Sequence, residues 1–278
     1  MSHVSRRSFL SGATLAAAAS ALTASETGAT ADTGSLVNVE AFISGVRAAR
    51  LFDLGFAWDQ GSPVRAPTID ATGPIGRNRN LHDGADAAAA TAQPDGIDHE
   101  LGIGAFPVDL LLSRGVLLDV ARVVGGGRPD PLPAGFEITA HHLEEALRVH
   151  RVAVRRGDSV LIRTGWGQYF ATDNARYLGE KSPGPGLDAG RWLVAQGVRL
   201  TGTDTATYEV RPAIHGSERF PVHTLLTADH GVYLVENANL EELGAAGVHL
   251  FCLVVPPLRI RGASDSPLRM LALTPRHR

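Results

Sequence analysis

The sequence predicts an α/β fold built as one domain, and three observations carry that prediction. Apolar runs of strand length alternate with helix-periodic segments through the second half of the chain. Glycines and prolines stand between them as turn punctuation. The 278 residues, 44% of them hydrophobic, are enough to bury a sizeable core. No internal repeat is visible.

Taken in order, Val37 to Ala57 reads as a short amphipathic helix and then a strand-like Arg50-Leu51-Phe52-Asp53-Leu54. From Trp58 to Gly104 the chain is rich in Gly, Pro, Asp, Asn and Ala and reads as long loops. A compact domain seldom tolerates such a stretch unless it is functional or damaged. Arg114 to Val120 is a strand, ended by the turn-prone Gly125-Gly126-Gly127. Thr139 can cap a helix with Leu143, Ala146 and Leu147 on one face. Ser159 to Thr164 is a second strand. Asp188 to Gln196 is a helix with Trp192 and Leu193 inward, stopped by Gly197. Val198–Thr201 and Val232–Glu236 are further strands, and Asn239 with Glu242 resembles a capping box over a short helix. Val248 to Val255 reads as a buried strand running into Pro256-Pro257.

Composition narrows the chemistry. Twenty-six basic against 29 acidic residues, a net charge of −3, argue against a nucleic-acid-binding patch. The single cysteine, Cys252, excludes an internal disulfide and a thiolate metal cluster, and its apolar strand points to packing rather than nucleophilic attack. Lys181, the one lysine, sits in a Ser/Pro/Gly loop where nothing desolvates it for Schiff-base chemistry. Gly-x-Ser-x-Gly, the Gly-x4-Gly-Lys phosphate loop, His-Glu-x-x-His and a spaced Gly-x-Gly-x-x-Gly are all missing. What remains is histidine and carboxylate chemistry.

The N-terminus carries an address. Ser5-Arg6-Arg7-Ser8-Phe9-Leu10, a small-residue apolar stretch and Ala29-Thr30-Ala31 form the pattern of a removable export signal of the twin-arginine type. The expected organisation is therefore a signal over residues 1–31, a domain over 32–278, and a periplasmic or extracellular location. The apolar run is too short for a membrane span.

His223, at a helix start in Pro221-Val222-His223-Thr224, and Glu236, at the end of an apolar strand, form the candidate site. A carboxylate at the end of a buried strand must find a partner, because burying it alone costs several kcal/mol. Paired, the two can bind a metal or exchange a proton; a structural His–Glu hydrogen bond is the other reading.

Several blocks resemble the bacterial cyclase family, whose best-known members are kynurenine formamidases. They are Arg114 to Asp119, Gly157 to Trp166, Gly202-Thr203-Asp204-Thr205, Val222-His223 with Val235-Glu236-Asn237, and Pro256-Pro257-Leu258-Arg259-Ile260 to Ser266-Pro267. The resemblance covers about Leu51 to the C-terminus. It implies a compact α/β domain with a curved mixed sheet, a homodimer, and Zn- or Mn-dependent hydrolysis of an amide or ester such as the formyl group of formylkynurenine. It also implies a small-molecule substrate; Arg163, Trp166 and Asp204 read as pocket or strand-end residues, with Arg163 equally readable as a paired structural charge. The family's metal sits on His-x-Gly-Thr-His-x-Asp and a downstream histidine, joined by a His and a Glu that match His223 and Glu236. Here Val64 and Thr68 stand where the two ligand histidines belong, Pro74 replaces the downstream one, and Asp70 survives. The stretch between Asp53 and that motif is also shortened, within a loop-rich 50–104 region. Asp70, His223 and Glu236 are thus the expected metal ligands, His223 and Glu236 the expected catalytic pair. His82, Asp83, Asp98 and His99 lie nearby in sequence as candidate substitutes, although loop histidines beside aspartates are usually just solvated. Two alternatives stay open: the same fold holding a small molecule without turnover, and a chain that a deletion has left folding poorly.

Overall fold

Seven strands form one mixed sheet, in the spatial order Arg50–Asp53, Leu271–Thr274, Leu250–Val254, Leu112–Asp119, Ser159–Arg163, Leu200–Thr203, Tyr233–Val235. The computed structural model describes residues 33–56, 103–212, 220–259 and 265–275. The chain divides into an N-terminal unit, Met1–Ile43, and a body, Ser44–Arg278. The expected signal and its boundary, the metal-motif positions 64, 68, 70 and 74, and His82, Asp83, Asp98 and His99 lie outside the described residues.

Helix α1 (Thr33–Ala48) precedes β1 (Arg50–Asp53). The central strands are β2 (Leu112–Asp119), β4 (Ser159–Arg163), β6 (Leu200–Thr203) and β7 (Tyr233–Val235), each parallel to the next. Helices link them: α2 (Val120–Val124) and α3 (Ala140–His150) between β2 and β4, and α5 (Leu187–Gln196) between β4 and β6, after the single turn α4 (Asn174–Tyr177). A short two-stranded parallel ladder joins β3 (Glu137–Ile138) to β5 (Gly184–Pro185). The chain then runs through α6 (Pro221–His223), wider π-type turns over Thr224–Asp229, β7 and α7 (Glu241–Ala245). β8 (Leu250–Val254) and β9 (Leu271–Thr274) complete the sheet antiparallel, with β1 on its edge.

The physics of this arrangement is two-faced burial. Val116, Leu118, Val160 and Ile162 pack against Leu143, Ala146 and Leu193 of the helices. Leu117, Leu161, Leu200 and Val235 point the other way, onto Phe52, Leu243, Phe251 and Leu253. Strands covered on both faces read as unbroken apolar runs, which is why β2 and β4 stand out in the sequence. Thr139 caps α3 as expected: the His142 backbone N–H reaches the Thr139 side chain, and His142 Nδ1 accepts from the Thr139 backbone N–H at 3.0 Å. Gly197 ends α5 with φ 70°, a left-handed conformation that glycine adopts without steric cost.

Three local expectations need correction. The strand ending at Asp119 is followed directly by α2, because the Asp119 carboxylate accepts the Arg122 backbone N–H at 3.0 Å and starts a helix before the glycines. Asn239 and Glu242 do not form a capping box: α7 begins after Leu240 without a side-chain cap, and Asn239 Oδ1 accepts the Glu241 N–H at 3.4 Å. Cys252 is exposed rather than packed. The alternation along β8 buries Phe251 and Leu253 and turns Leu250 and Cys252 to the opposite face, where they are exposed.

Candidate active site

Parallel strands deliver their C-terminal residues to one edge of the sheet, the usual place for a ligand crevice in an α/β fold. Here β2 brings Asp119, β4 brings Arg163, the turn after β6 brings Asp204, and the residue after β7 is Glu236. His223 arrives from the β6–β7 connection, on a helix whose first residue is Pro221, a φ already suited to that position.

His223 is 2% exposed and is gripped at both ring nitrogens. On one side stands Glu209, 1% exposed. Its Oε2 accepts the Val222 backbone N–H at 3.0 Å, and its Oε1 accepts the His223 backbone N–H at 3.0 Å. The same Oε1 lies 2.5 Å from His223 Nδ1. On the other side, Nε2 lies 3.1 Å from Glu236 Oε1. Burial alone pushes the imidazole pKa down, but the hydrogen bonds and charges of Glu209 and Glu236 more than reverse this and raise it to about 9. Tyr208 stands edge-on to the ring with centroids 6.1 Å apart, and Phe220 lies 5.3 Å away. Glu236 is about one-third exposed, so its carboxylate meets both solvent and His223. Next to it, Asn237 Oδ1 accepts the Tyr177 hydroxyl at 2.8 Å. Burial and the nearby Asp204 and Glu236 charges push the Tyr177 phenol well up.

The sequence-expected residues thus fall into two neighbourhoods. His223 and Glu236 meet. Asp204 is fully buried and accepts Thr164 N–H at 2.8 Å, Thr164 Oγ1–H at 2.7 Å and Gly167 N–H at 3.4 Å. Burial pushes its carboxyl up to about 6, with the charge of Glu241 adding to the effect. Trp166 is fully buried with Phe170 and Tyr177 and donates Nε1–H to the Tyr177 carbonyl at 3.4 Å. Arg163, 2% exposed, gives its guanidinium to Asp119 at 3.0 Å, to Glu241 at 3.2 and 2.6 Å, and to the Pro129 carbonyl at 3.2 Å. Burial works against its charge, yet these carboxylates hold the guanidinium pKa above its usual value.

Glu209 is the functional residue that the sequence reading missed. The signal was there: an acidic residue inside Tyr208-Glu209-Val210 needs a buried partner by the same reasoning that singled out Glu236.

The family resemblance implies a divalent metal, and the donor geometry tests it. An imidazole held at Nδ1 by a carboxylate, with Nε2 beside a second carboxylate, is the arrangement of a metal-ligating histidine and a co-ligand. His223 and Glu236 therefore fit two of the about three protein positions a catalytic ion needs. Among the described residues no group of three or more His, Cys, Asp or Glu is arranged so that it could hold a metal ion by itself.

The family model described as Cyclase matches residues 66–210. An isatin hydrolase from Roseibium aggregatum is 30% identical over 164 residues, 58% of this chain and 61% of that protein. The match thus spans about three-fifths of the length of that curated relative. A crystal structure described as a novel cyclase shares 25% identity over 84% of this chain and 90% of its own, with a TM-score of 0.65. A structure described as a "potential metal-dependent hydrolase with cyclase activity" shares 19% identity over 83% of this chain and 100% of its own, with a TM-score of 0.52. At that identity the last comparison speaks for the fold alone, and it agrees with the mixed sheet seen here.

Proposed function

The chain belongs to the cyclase family, and from that premise we propose that it is a metal-dependent hydrolase of a small amide or ester. The observation that carries the reading is the buried His223 held between Glu209 and the half-open Glu236 at the C-terminal edge of the parallel strands. In this reading His223 Nε2 and Glu236 would hold a Zn or Mn ion, with Asp70, which lies outside the described residues, as the expected third ligand. The chemistry such an ion supplies when bound is activation of water near neutral pH and polarisation of a carbonyl.

The chain's own residues do the rest. Glu209 fixes the ring of His223 so that Nε2 faces the reaction space. The exposed part of Glu236 takes the proton from the attacking water. As the C–N or C–O bond breaks, it returns that proton to the leaving nitrogen or oxygen. Water adds to the carbonyl carbon, and the products are an acid and an amine or alcohol. Asn237, the residue after Glu236, is held in place by the Tyr177 hydroxyl at 2.8 Å. The relative named isatin hydrolase suggests a cyclic amide fused to an aromatic ring as the first substrate to try, with N-formylkynurenine as the second. We further infer a homodimer and export through the N-terminal twin-arginine signal.

The test is hydrolysis of isatin and N-formylkynurenine by the full chain with added Mn or Zn, followed by absorbance and by product mass. Turnover that disappears in His223→Ala and in Glu236→Gln supports the reading. Metal bound without turnover of either substrate, or no bound metal in a protein that melts cooperatively, overturns it. The binding reading would then stand, favoured by Val64 and Thr68 at the family's histidine positions.

A further inference from the structure

We propose that Glu209 is the positioning residue of this site: it keeps the proton of His223 on Nδ1 and so dedicates Nε2 to whatever the site binds. The inference rests on the reading that His223 is the working group, and deepens it.

Three independent features converge on this carboxylate. First, every donor that the described residues bring to it is an N–H. The backbone N–H groups of Val222 and His223 and the ring Nδ1 all point at Glu209, at 3.0, 3.0 and 2.5 Å. Both carboxylate oxygens already accept a backbone N–H, so the group meets Nδ1 as an acceptor and Nδ1 faces it as the donor. Second, the backbone that presents Glu209 is held in an unfavourable shape. Tyr208 has φ 53° although it is bulky and fully buried, a left-handed conformation that costs free energy and persists only where packing dictates it. Its hydroxyl is tied to Thr201 Oγ1 of β6 at 3.0 Å. Third, β5 closes over the same backbone through a glycine. A Cβ on Gly184 would lie 2.5 Å from the Glu209 carbonyl carbon and the Tyr208 oxygen, and 2.6 Å from the Val210 nitrogen. The Val210 N–H also donates to the Pro185 carbonyl at 3.2 Å. The segment is therefore clamped from β6 on one side and from β5 on the other, with Glu209 as its product.

The consequence is a division of labour between two glutamates. Glu209, 1% exposed, fixes tautomer and ring angle and never meets substrate. Glu236, about one-third exposed, faces the Nε2 side, where ligand and proton come and go. A ligand binding at Nε2 displaces a proton from that nitrogen alone and leaves the Nδ1–H···Glu209 contact in place.

The experiment uses the full chain, uniformly labelled with nitrogen-15, and reads the imidazole of His223 by NMR with and without Zn. The resonance is assigned by its disappearance in His223→Asn. Expected in the wild type is an Nδ1-bound proton, slow to exchange, that persists when Zn is added. In Glu209→Gln that slow Nδ1 proton is lost, and Zn affinity measured by titration falls by about 10- to 100-fold, the usual consequence of removing the group behind a ligating histidine. Glu209→Asp, which keeps the charge, recovers part of the affinity. An Nδ1 proton that is unchanged in Glu209→Gln overturns the proposal, whether or not Zn binds or any substrate turns over. A Glu209→Gln protein that no longer melts cooperatively shifts the test to Glu209→Asp, where an unaltered Nδ1 exchange rate and Zn affinity refute it equally. Absence of hydrolysis with the Nδ1 proton present refutes the hydrolase reading and leaves the positioning role intact.

Discussion

Replacing Arg163 by Met separates a structural from a substrate-binding role for that residue. The guanidinium is 2% exposed, and its partner Asp119 is fully buried. Methionine fills much of the same volume but leaves Asp119 as a buried carboxylate supported, among the described residues, only by Arg122, through its backbone N–H at 3.0 Å and its side chain at 3.4 Å. Glu241, the other partner, is about one-third exposed and can be rehydrated cheaply. Breaking one side of a buried pair costs about 3–5 kcal/mol, and the help from Arg122 puts this case at the lower end, ~3 kcal/mol. For a body of this size each kcal/mol moves Tm by about 2–4 °C, so a fall of roughly 10 °C is expected. The assay is urea unfolding followed by far-ultraviolet circular dichroism, with a thermal scan beside it. If the orphaned carboxylate is the cause, adding Asp119→Asn to Arg163→Met restores about 1–2 kcal/mol, since Asn still accepts the Arg122 N–H and carries no charge. A single variant within 1 kcal/mol of wild type, or a double variant less stable than the single, refutes the reasoning. A raised KM at unchanged stability would instead assign Arg163 to the substrate.

Other consequences are equally direct. The folded-state pKa of Asp204 is about 6 against an ordinary 3.8, so the native state holds this proton to higher pH. The stability it contributes is present below about pH 4 and lost as pH rises through 6, by as much as ~3 kcal/mol; urea melts of wild type and Asp204→Asn should therefore diverge with rising pH, and a constant difference between them from pH 4.5 to 8 would count against this. Gly184→Ala should cost about 1–3 kcal/mol by overpacking against the backbone of Glu209 and should weaken Zn binding in the same direction as Glu209→Gln; a variant as stable as wild type shows that the close approach is not required. Cys252 should react with a thiol reagent in the native protein, more slowly than a free thiol because partial burial raises its pKa; reaction only after denaturation would place it back in the core.

The strand and helix pattern of the second half was legible because burial on both faces writes itself into sequence as uninterrupted apolar runs, as in Val116-Leu117-Leu118 and Val160-Leu161-Ile162. The Thr139 cap and the Gly197 stop were legible because each acts within a few residues of itself. The pairing of His223 with Glu236 was legible because a carboxylate closing an apolar strand must be compensated, and few partners existed. Cys252 was misread because periodicity alone does not say which face of β8 a packing layer will cover.

Glu209 needed the fold. It lies 14 residues before His223, in no motif, and meets it only because β5, β6 and α6 converge at the sheet edge. The same holds for Arg163, whose guanidinium could have faced a pocket until β2 and α7 brought Asp119 and Glu241 to it. Sequence by itself determined the elements and the need of each buried charge for a partner, because local propensity and desolvation cost are properties of the residue. Only the tertiary structure decided which partner answered, because that depends on contacts between segments far apart in the chain.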